Sequence, residues 1–353
     1  MNLTRRNFLG AAASAAAHPA FAKDQGLRDI AARKNIVYGA ATATYELKNP
    51  AFQSALLREA AMLVPEYEMK RDALEPVPGR FDFSAADALA EFAQARSLKM
   101  RGHALLWYHS NPPWLEEAVL SSRKENLIAD YIARVAGHYR GRMHSWDVVN
   151  EILKPSDGRA DNLRNDFWMK AFGPSHIDIA FHAARAADPK ALLVYNDWGC
   201  ELAGAGHDRF RAATLKFLDS AIARRVPIDA LGLQGHLAAF GARVDQEALR
   251  KFLADVKALG LRILVTEHDV DDRGGPSDIV TRDRAVADAS RRFLDVVADN
   301  PATAAVLTWG LSDLFIDPAG VDAALTGFLA RMLPLDRAMK RKPMWKAMAK
   351  AFA

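Results

Sequence analysis

The chain reads as one closed (β/α)8, or TIM, barrel. Three observations predict it. From Lys34 onward, short β-rich runs alternate with longer amphipathic helical stretches, eight times in about 310 residues. The interiors of most β-rich runs are nearly continuous in apolar residues, as strands covered on both faces must be. The first run, "IVYGAATATYE", lacks the glycine-rich phosphate turn that usually follows the first strand of the competing open, doubly wound sheet.

The elements follow in order. The first strand falls at 35–40 ("NIVYGA") and the second at 62–68 ("MLVPEYE"), which runs into Glu66, Glu68 and Lys70. The third, 99–107 ("KMRGHALLW"), carries His103 and Trp107. A helix is predicted over 124–139, where Leu127, Ile128, Tyr131, Ile132 and Val135 share one face. The fourth strand, 144–151 ("HSWDVVNE"), stops on Asn150 and Glu151. The fifth, 191–197 ("ALLVYND"), leads to Asn196, Asp197 and Trp198, and the sixth, 230–237 ("ALGLQGHL"), carries Gln234 and His236. The seventh, 262–270 ("RILVTEHDV"), carries Glu267, His268 and Asp269. The "DDRGGPSD" after it reads as a loop rather than a domain boundary. A helix over 284–300 precedes the eighth strand, 305–313 ("AVLTWGLSD"), with Trp309 and Asp313. No low-complexity linker or short-period repeat divides the chain, so one domain is expected over 23–353.

Seven of the eight strands carry polar or aromatic groups towards their C-terminal ends, which in a barrel converge on one mouth. Glu151 and Glu267 stand out. An acid alone at a strand end is usually a solvated surface group. Two acids, one beside an asparagine and one within reach of Gln-x-His, with indoles around them, suit glycoside hydrolysis. That chemistry needs one carboxyl protonated to help a sugar leave and another ionised to attack or to activate water. Tryptophan faces stack on sugar rings, while amides and imidazoles hold hydroxyls. A metal reading rests on His103, His236, His268, Asp269 and Asp272, but the first strand has no His-x-His and the histidines are isolated among apolar residues. No metal or organic cofactor is therefore expected. Phosphate chemistry lacks a glycine-rich loop after the seventh or eighth strand.

Half of the 353 residues are hydrophobic and a quarter charged, enough apolar material for a large core. The net charge is +4, and +2 once Arg5 and Arg6 are set aside. No basic stripe is interleaved with aromatics, so nucleic acid is not an expected partner. The single cysteine, Cys200, excludes an internal disulfide and reads as a small buried hydrophobe. At the N-terminus, "TRRNFLG" precedes an Ala-rich run and the small-x-small pattern "AFA" ending at Ala22. Residues 1–22 thus read as a twin-arginine signal peptide, too short and too weakly apolar to remain as a membrane span. The mature chain is expected to be periplasmic or secreted, not membrane-bound, and a monomer.

Several motifs together resemble glycoside hydrolase family 10, the retaining endo-β-1,4-xylanases. They are "EYEMKRDALEPVPGRFDFSAAD" (66–87), "RGHALLW" (101–107), "WDVVNE" (146–151), "VYNDW" (194–198), "GLQGHL" (232–237), "VTEHDV" (265–270), "LTWGLSD" (307–313) and "KRKPMW" (340–345), in order along nearly the whole mature chain. The resemblance implies that Glu151 is the acid/base and Glu267 the nucleophile, with His236 and Asp269 orienting it. It implies that Asn150 grips a sugar 2-hydroxyl, that Glu66, Lys70, His103, Trp107, Gln234 and Trp309 bind substrate, and that Trp198 offers a platform for the leaving sugar. The implied substrate is xylan or its oligosaccharides. Alternatives are another β-glycan, a short or decorated oligosaccharide, or a barrel that binds carbohydrate without turnover. The sequence departs from the family pattern at Tyr67 and Arg71, where Asn and Trp are usual, at Tyr108, His109 and Ser110 in place of His-x-Gln, and at His268 in place of Leu. A second tryptophan expected after "WGLSD" is replaced by "LFIDPAG". Most of these changes are expected to line the next sugar site outward on the non-reducing side, with Tyr67 and Tyr108 either rebuilding a stacking surface or packing internally.

Overall fold

The computed structural model describes residues 25–316, 324 and 327–353. The twin-arginine segment and its cleavage site at Ala22 lie outside the described residues, as do "DPAG" (317–320) and residues 321–323, 325 and 326.

Among the described residues, nine parallel strands build the barrel: β1 (Val37–Thr42), β2 (Met62–Pro65), β3 (Lys99–Gly102), β4 (Ser145–Asn150), β5 (Leu192–Asp197), β6 (Ala230–Leu233), β7 (His236–Ala238), β8 (Arg262–Asp271) and β9 (Thr303–Thr308). Each pairs with its predecessor from β1 to β6. β6 pairs with β8, β8 with β9, and β9 returns to β1, which closes an eight-membered ring. β7 is the continuation of β6 after a break at Gln234-Gly235, and it pairs with β8 beyond that break.

Alternation along the strands sorts side chains onto two faces. Ala41, Met62, Val64, Val194, Ala230, Leu264, Ala305 and Leu307 form a cluster drawn from strands alone, so they fill the barrel's interior. Their alternates, among them Leu63, Leu193, Leu231, Ile263 and Val306, pack with the surrounding helices. The helix Asn126–His138 buries Ile128, Tyr131, Ile132 and Val135 on the face its 3.6-residue spacing predicts. Gly102 is required by packing: a Cβ there would sit 2.0 Å from the Trp146 ring, whose indole N–H donates to Asp188 at 3.1 Å.

Regular strand ends earlier than expected at the mouth. β2 stops at Pro65, β3 at Gly102 and β9 at Thr308. Beyond Gly102 the chain still follows β4, with Leu105 and Leu106 N–H groups donating to the carbonyls of Asp147 and Val148. The residues freed from regular ladder form the rim. At the far end of the chain, Lys342 donates to Asp313 at 2.7 Å and Trp345 to Glu59 at 2.8 Å, tying the helix Pro343–Phe352 to the barrel.

Candidate active site

Four strand ends place the central groups. β4 ends at Asn150, and Glu151 then takes a left-handed backbone at φ +57°. A non-glycine residue pays about 1 kcal/mol for that conformation. Two bonds hold it: Glu151 N–H donates to the Asn196 carbonyl at 2.9 Å, and Arg164 Nε donates to the Glu151 carbonyl at 2.7 Å. The strand therefore turns its last acid towards the mouth instead of running out into water. Gln234 Nε2 donates to Glu151 Oε1 at 3.1 Å, and the Arg164 guanidinium lies 4.0 Å from Oε2.

Glu267, on β8, is 5% exposed. Its Oε1 accepts from Asn196 Nδ2 at 2.7 Å, and its Oε2 meets His236 Nε2 at 3.3 Å. His236 Nδ1 pairs in turn with Asp269 Oδ1 at 2.9 Å. Burial pushes the Glu267 carboxyl up. The His236 hydrogen bond, the charges of His103 and His236, and the Asn196 amide outweigh it and bring the group down to about 2. Burial pulls His236 down, but Asp269 and Glu267 raise it well above the ordinary imidazole value. The result is an ionised carboxylate held by a cation that a second carboxylate supports.

Asn196 joins the two halves. Its Nδ2 also donates to Asn150 Oδ1 at 2.8 Å, while its Oδ1 accepts from Thr266 at 2.6 Å. With the Asn150 oxygen used as acceptor, its NH2 is the group that can donate to a sugar hydroxyl. Gly232 lies beneath: a Cβ there would approach Asn196 Oδ1 to 2.5 Å, so only glycine leaves room for this bridge.

The cleft around these groups has a volume of about 460 Å³. Glu151, Glu267, Asn150, Gln234 and His236 line it with Lys70, His103, Trp107, Trp198 and Trp309. Lys70 Nζ sits 5.5 Å from the Trp107 ring and 4.9 Å from that of Tyr67. Trp198 is half exposed and is backed by Phe210 in near-parallel stacking at 6.3 Å. Glu66 and Asp269 line an adjoining cavity of about 220 Å³ that shares Trp309 with the first. All twelve expected site residues thus fall on these two connected surfaces.

Some expectations are corrected. Arg71 and His268 do not line a sugar site. Arg71 is buried, stacks 4.0 Å over Tyr131, and bonds Glu75 through Nε and Nη2 at 3.1 and 2.9 Å. His268 is buried between the Gly235 carbonyl at 2.8 Å and Ser290 Oγ at 2.9 Å. Each is directed inwards by buried partners that its polar atoms satisfy. Tyr67 is 53% exposed at the rim, whereas Tyr108 has the Arg164 guanidinium 4.0 Å over its ring. Of the two tyrosines, Tyr67 is the more open for stacking. Glu68 and Asp313, which also read as mouth groups, are buried structural acids bonded to the Thr44 N–H and to Lys342.

Among the described residues, one grouping has metal-ligand proximity: His103, Asp147 and Glu267, with ligand atoms within 4.8 Å of one another. Its groups are engaged by protein donors. Asp147 pairs with the buried Arg101 guanidinium and with His103 at 2.9 Å, and Glu267 with Asn196 and His236. Asp272, another metal candidate, is bonded to Arg282 at 2.7 Å and to the Arg331 N–H at 3.0 Å. This donor set reads as a charge-balanced hydrogen-bond network.

The sequence places Asn196 at the mouth without a role and gives no sign of Arg164 or Glu201. Asn196 stands inside "VYNDW", where its strand-end position is itself a signal. Arg164 and Glu201 arrive from loops, and nothing local in sequence ties them to the acids.

Comparison with known proteins shows what the chain is similar to. The family model described as glycosyl hydrolase family 10 matches residues 26–351. Endo-1,4-beta-xylanase B of Thermotoga neapolitana is 32% identical over 299 residues, covering 83% of each chain. Endo-1,4-beta-xylanase C of Paenibacillus barcinonensis is 32% identical over 309 residues, covering 79% of this chain and 27% of that longer protein. The crystal structure of xylanase 10B from Thermotoga petrophila RKU-1 in complex with xylobiose superposes with a TM-score of 0.81 at 27% identity, covering 94% of this chain and 98% of that one.

Proposed function

The chain belongs to glycosyl hydrolase family 10, and on that premise we propose that it is a retaining endo-1,4-β-xylanase acting on xylan or xylo-oligosaccharides. The observation that carries the reading is the pair of acids in one cleft with unequal partners. Glu267 is held ionised by hydrogen bonds from His236 and Asn196, while Glu151 has its hydrogen bond from the neutral amide of Gln234, with the Arg164 guanidinium farther off at 4.0 Å. The relatives named above are xylanases, and one similar structure holds xylobiose.

The chemistry proceeds in two steps. The Glu267 carboxylate attacks C1 of the sugar. The bond from C1 to the leaving oxygen breaks, and Glu151 gives that oxygen its proton. A glycosyl ester on Glu267 remains. Glu151, now a carboxylate, takes a proton from water as the water oxygen attacks C1, and Glu267 leaves with its electron pair. Two inversions retain the β configuration. The Asn150 amide donates to the 2-hydroxyl, a bond that strengthens as positive charge grows on the ring. Lys70, His103, Trp107, Gln234 and Trp309 surround the sugar at the point of cleavage, Glu66 reaches the next one, and Trp198 stacks on the leaving sugar. Neither step requires a metal or organic cofactor.

A Glu267→Ala variant, an activated aryl β-xyloside and azide test the assignment. Azide occupying the vacated face gives an α-xylosyl azide. Full wild-type turnover without azide would end the assignment. A second reading keeps the chemistry and changes the substrate, towards another β-glycan or a short or decorated oligosaccharide. The exposed Tyr67 ring at the rim favours it. A product profile on xylan, defined xylo-oligosaccharides and a β-glucan separates the two.

We also propose that residues 1–22 are a twin-arginine leader, and that a monomeric 23–353 chain acts in the periplasm or outside the cell. No helix among the described residues is long and apolar enough to cross a membrane. Replacing Arg5 and Arg6 by lysine should retain activity in the cytoplasmic fraction, and export unchanged by that replacement would reject the leader. Elution at dimer size on gel filtration would reject the monomer.

A further inference from the structure

The interruption between β6 and β7 separates two side chains that touch the acids, one for each. Gln234 bonds Glu151, and His236 bonds Glu267. Between them Gly235 takes φ +79°, and its peptide leaves the regular ladder. Two side chains remote in sequence take over its hydrogen bonds. The Gly235 N–H donates to Glu201 Oε1 at 3.1 Å, and the Gly235 carbonyl accepts from His268 Nδ1 at 2.8 Å.

Both partners are anchored in turn. Glu201 is buried, and its other oxygen accepts from the Gly199 N–H at 2.7 Å, next to the Trp198 platform. His268 is fully buried. A carbonyl only accepts, so Nδ1 carries the proton. In the neutral ring, Nε2 then accepts from Ser290 Oγ on the helix Ile279–Val297 at 2.9 Å. Phe293 of the same helix backs the peptide, since a Cβ on Gly235 would meet its ring at 3.2 Å.

We propose that Glu201 and His268 are positioning residues that clamp the Gly235 peptide, so that one short turn presents Gln234 to Glu151 and His236 to Glu267. They touch neither acid. They set the path of the chain between the groups that do, and a displacement of about 1 Å at such groups costs up to a hundredfold in rate. The clamp also couples the platform to the acids, because one Glu201 carboxylate holds both Gly199 and Gly235. This inference rests on the assignment of Glu267 as nucleophile.

The test compares wild type with His268→Leu, which removes the donor and keeps the bulk, and with His268→Asn, whose amide restores a donor near the Nδ1 position. Glu201→Gln, which keeps one acceptor and loses the other, is the fourth protein. Two readouts are used: kcat and KM against pH with an activated aryl xyloside, and 15N titration of the His236 ring, which needs no substrate. In His268→Leu, kcat should fall about tenfold or more with KM changed by less than about threefold. The acid limb should move up, because His236 helps hold the Glu267 carboxyl below its ordinary value, and the His236 titration should move down. His268→Asn should recover both, and Glu201→Gln should move both in the direction of the leucine variant. A purely structural histidine would change thermal stability and leave the acid limb in place. Folded His268→Leu and Glu201→Gln proteins with unchanged acid limb and unchanged His236 titration overturn the clamp. If the leucine variant does not fold, Glu201→Gln decides by the same two readouts. An inactive wild type with a shifted His236 titration in the variants would sink the xylosidase assignment and leave the clamp standing.

Discussion

Replacing His236 by leucine removes the group that does most to keep Glu267 ionised. The Glu267 carboxyl sits at about 2 against an ordinary 4.5. At 1.36 kcal/mol per pH unit, that gap is worth roughly 3 kcal/mol in favour of the carboxylate. The largest opposing influence is burial, and it stays when His236 goes. His103 and Asn196 remain as weaker counterweights, so Glu267 should rise to about 4.5 or higher. At pH 3 the ionised fraction would then fall from about nine-tenths to about one-thirtieth. The assay is kcat/KM for an aryl β-xyloside from pH 2.5 to 7, with circular dichroism at each pH to exclude unfolding. The acid limb of the variant should lie at least two pH units above that of wild type. Linkage reads the same quantity from stability. A depressed carboxyl contributes stability that is present above pH 4.5 and lost as pH falls through about 2, so wild type should lose stability more steeply than the variant across that window. Coincident acid limbs in the two proteins would refute the assignment of His236 as the partner that keeps Glu267 ionised.

Three other outcomes are expected. Arg71→Ala strands the buried Glu75 carboxylate and should cost about 3–5 kcal/mol of stability; because Arg71 faces inwards, KM for xylo-oligosaccharides at a temperature where the variant is folded should not change. Trp198→Ala removes a half-exposed ring from the cleft, so KM for xylotetraose should rise several-fold while the denaturation midpoint barely moves. His268 is held down to about 4 by burial against an ordinary 6.5. An unfolded chain takes up that proton first as pH falls, so this residue removes up to about 3 kcal/mol of stability between pH 6.5 and 4. His268→Leu should flatten the dependence of Tm on pH in that interval, and an unaltered slope would count against the buried neutral imidazole.

The fold was legible because a barrel repeats one local pattern. Continuous apolar strands such as "ALLVY" and one-faced helices such as 126–138 announce their burial within a few residues. The β-rich runs extend past the regular strands at Glu66, His103 and Trp309, since a side chain's suitability for a strand does not reveal where the ladder gives way to the rim. The site was legible wherever a residue acts from a strand end. Glu151, Glu267, Asn150, Gln234 and His236 all stand at strand ends, and the structure gathers them in one cleft. Arg71 and His268 differ from these for a reason specific to them. They depart from a family pattern inside site motifs, and a departure beside a site looks like a change in the site until burial is known.

The sequence by itself pointed to the barrel and to two acids at strand ends, because strand-end chemistry and apolar periodicity are local properties, and the resemblance of its ordered motifs pointed to the family. Only the tertiary structure decided which polar residues face the cleft and which are internal ties. Glu68, Asp313 and His268 read much like Glu66, Trp309 and His236, yet buried partners from other elements claim them. The same holds for Asn196, whose single amide serves Asn150 and Glu267 together, and for Glu201, which reaches Gly235 across 34 residues. A hydrogen bond between distant segments depends on the separation of two atoms in space. The sequence does not encode that separation until the ring of strands has closed.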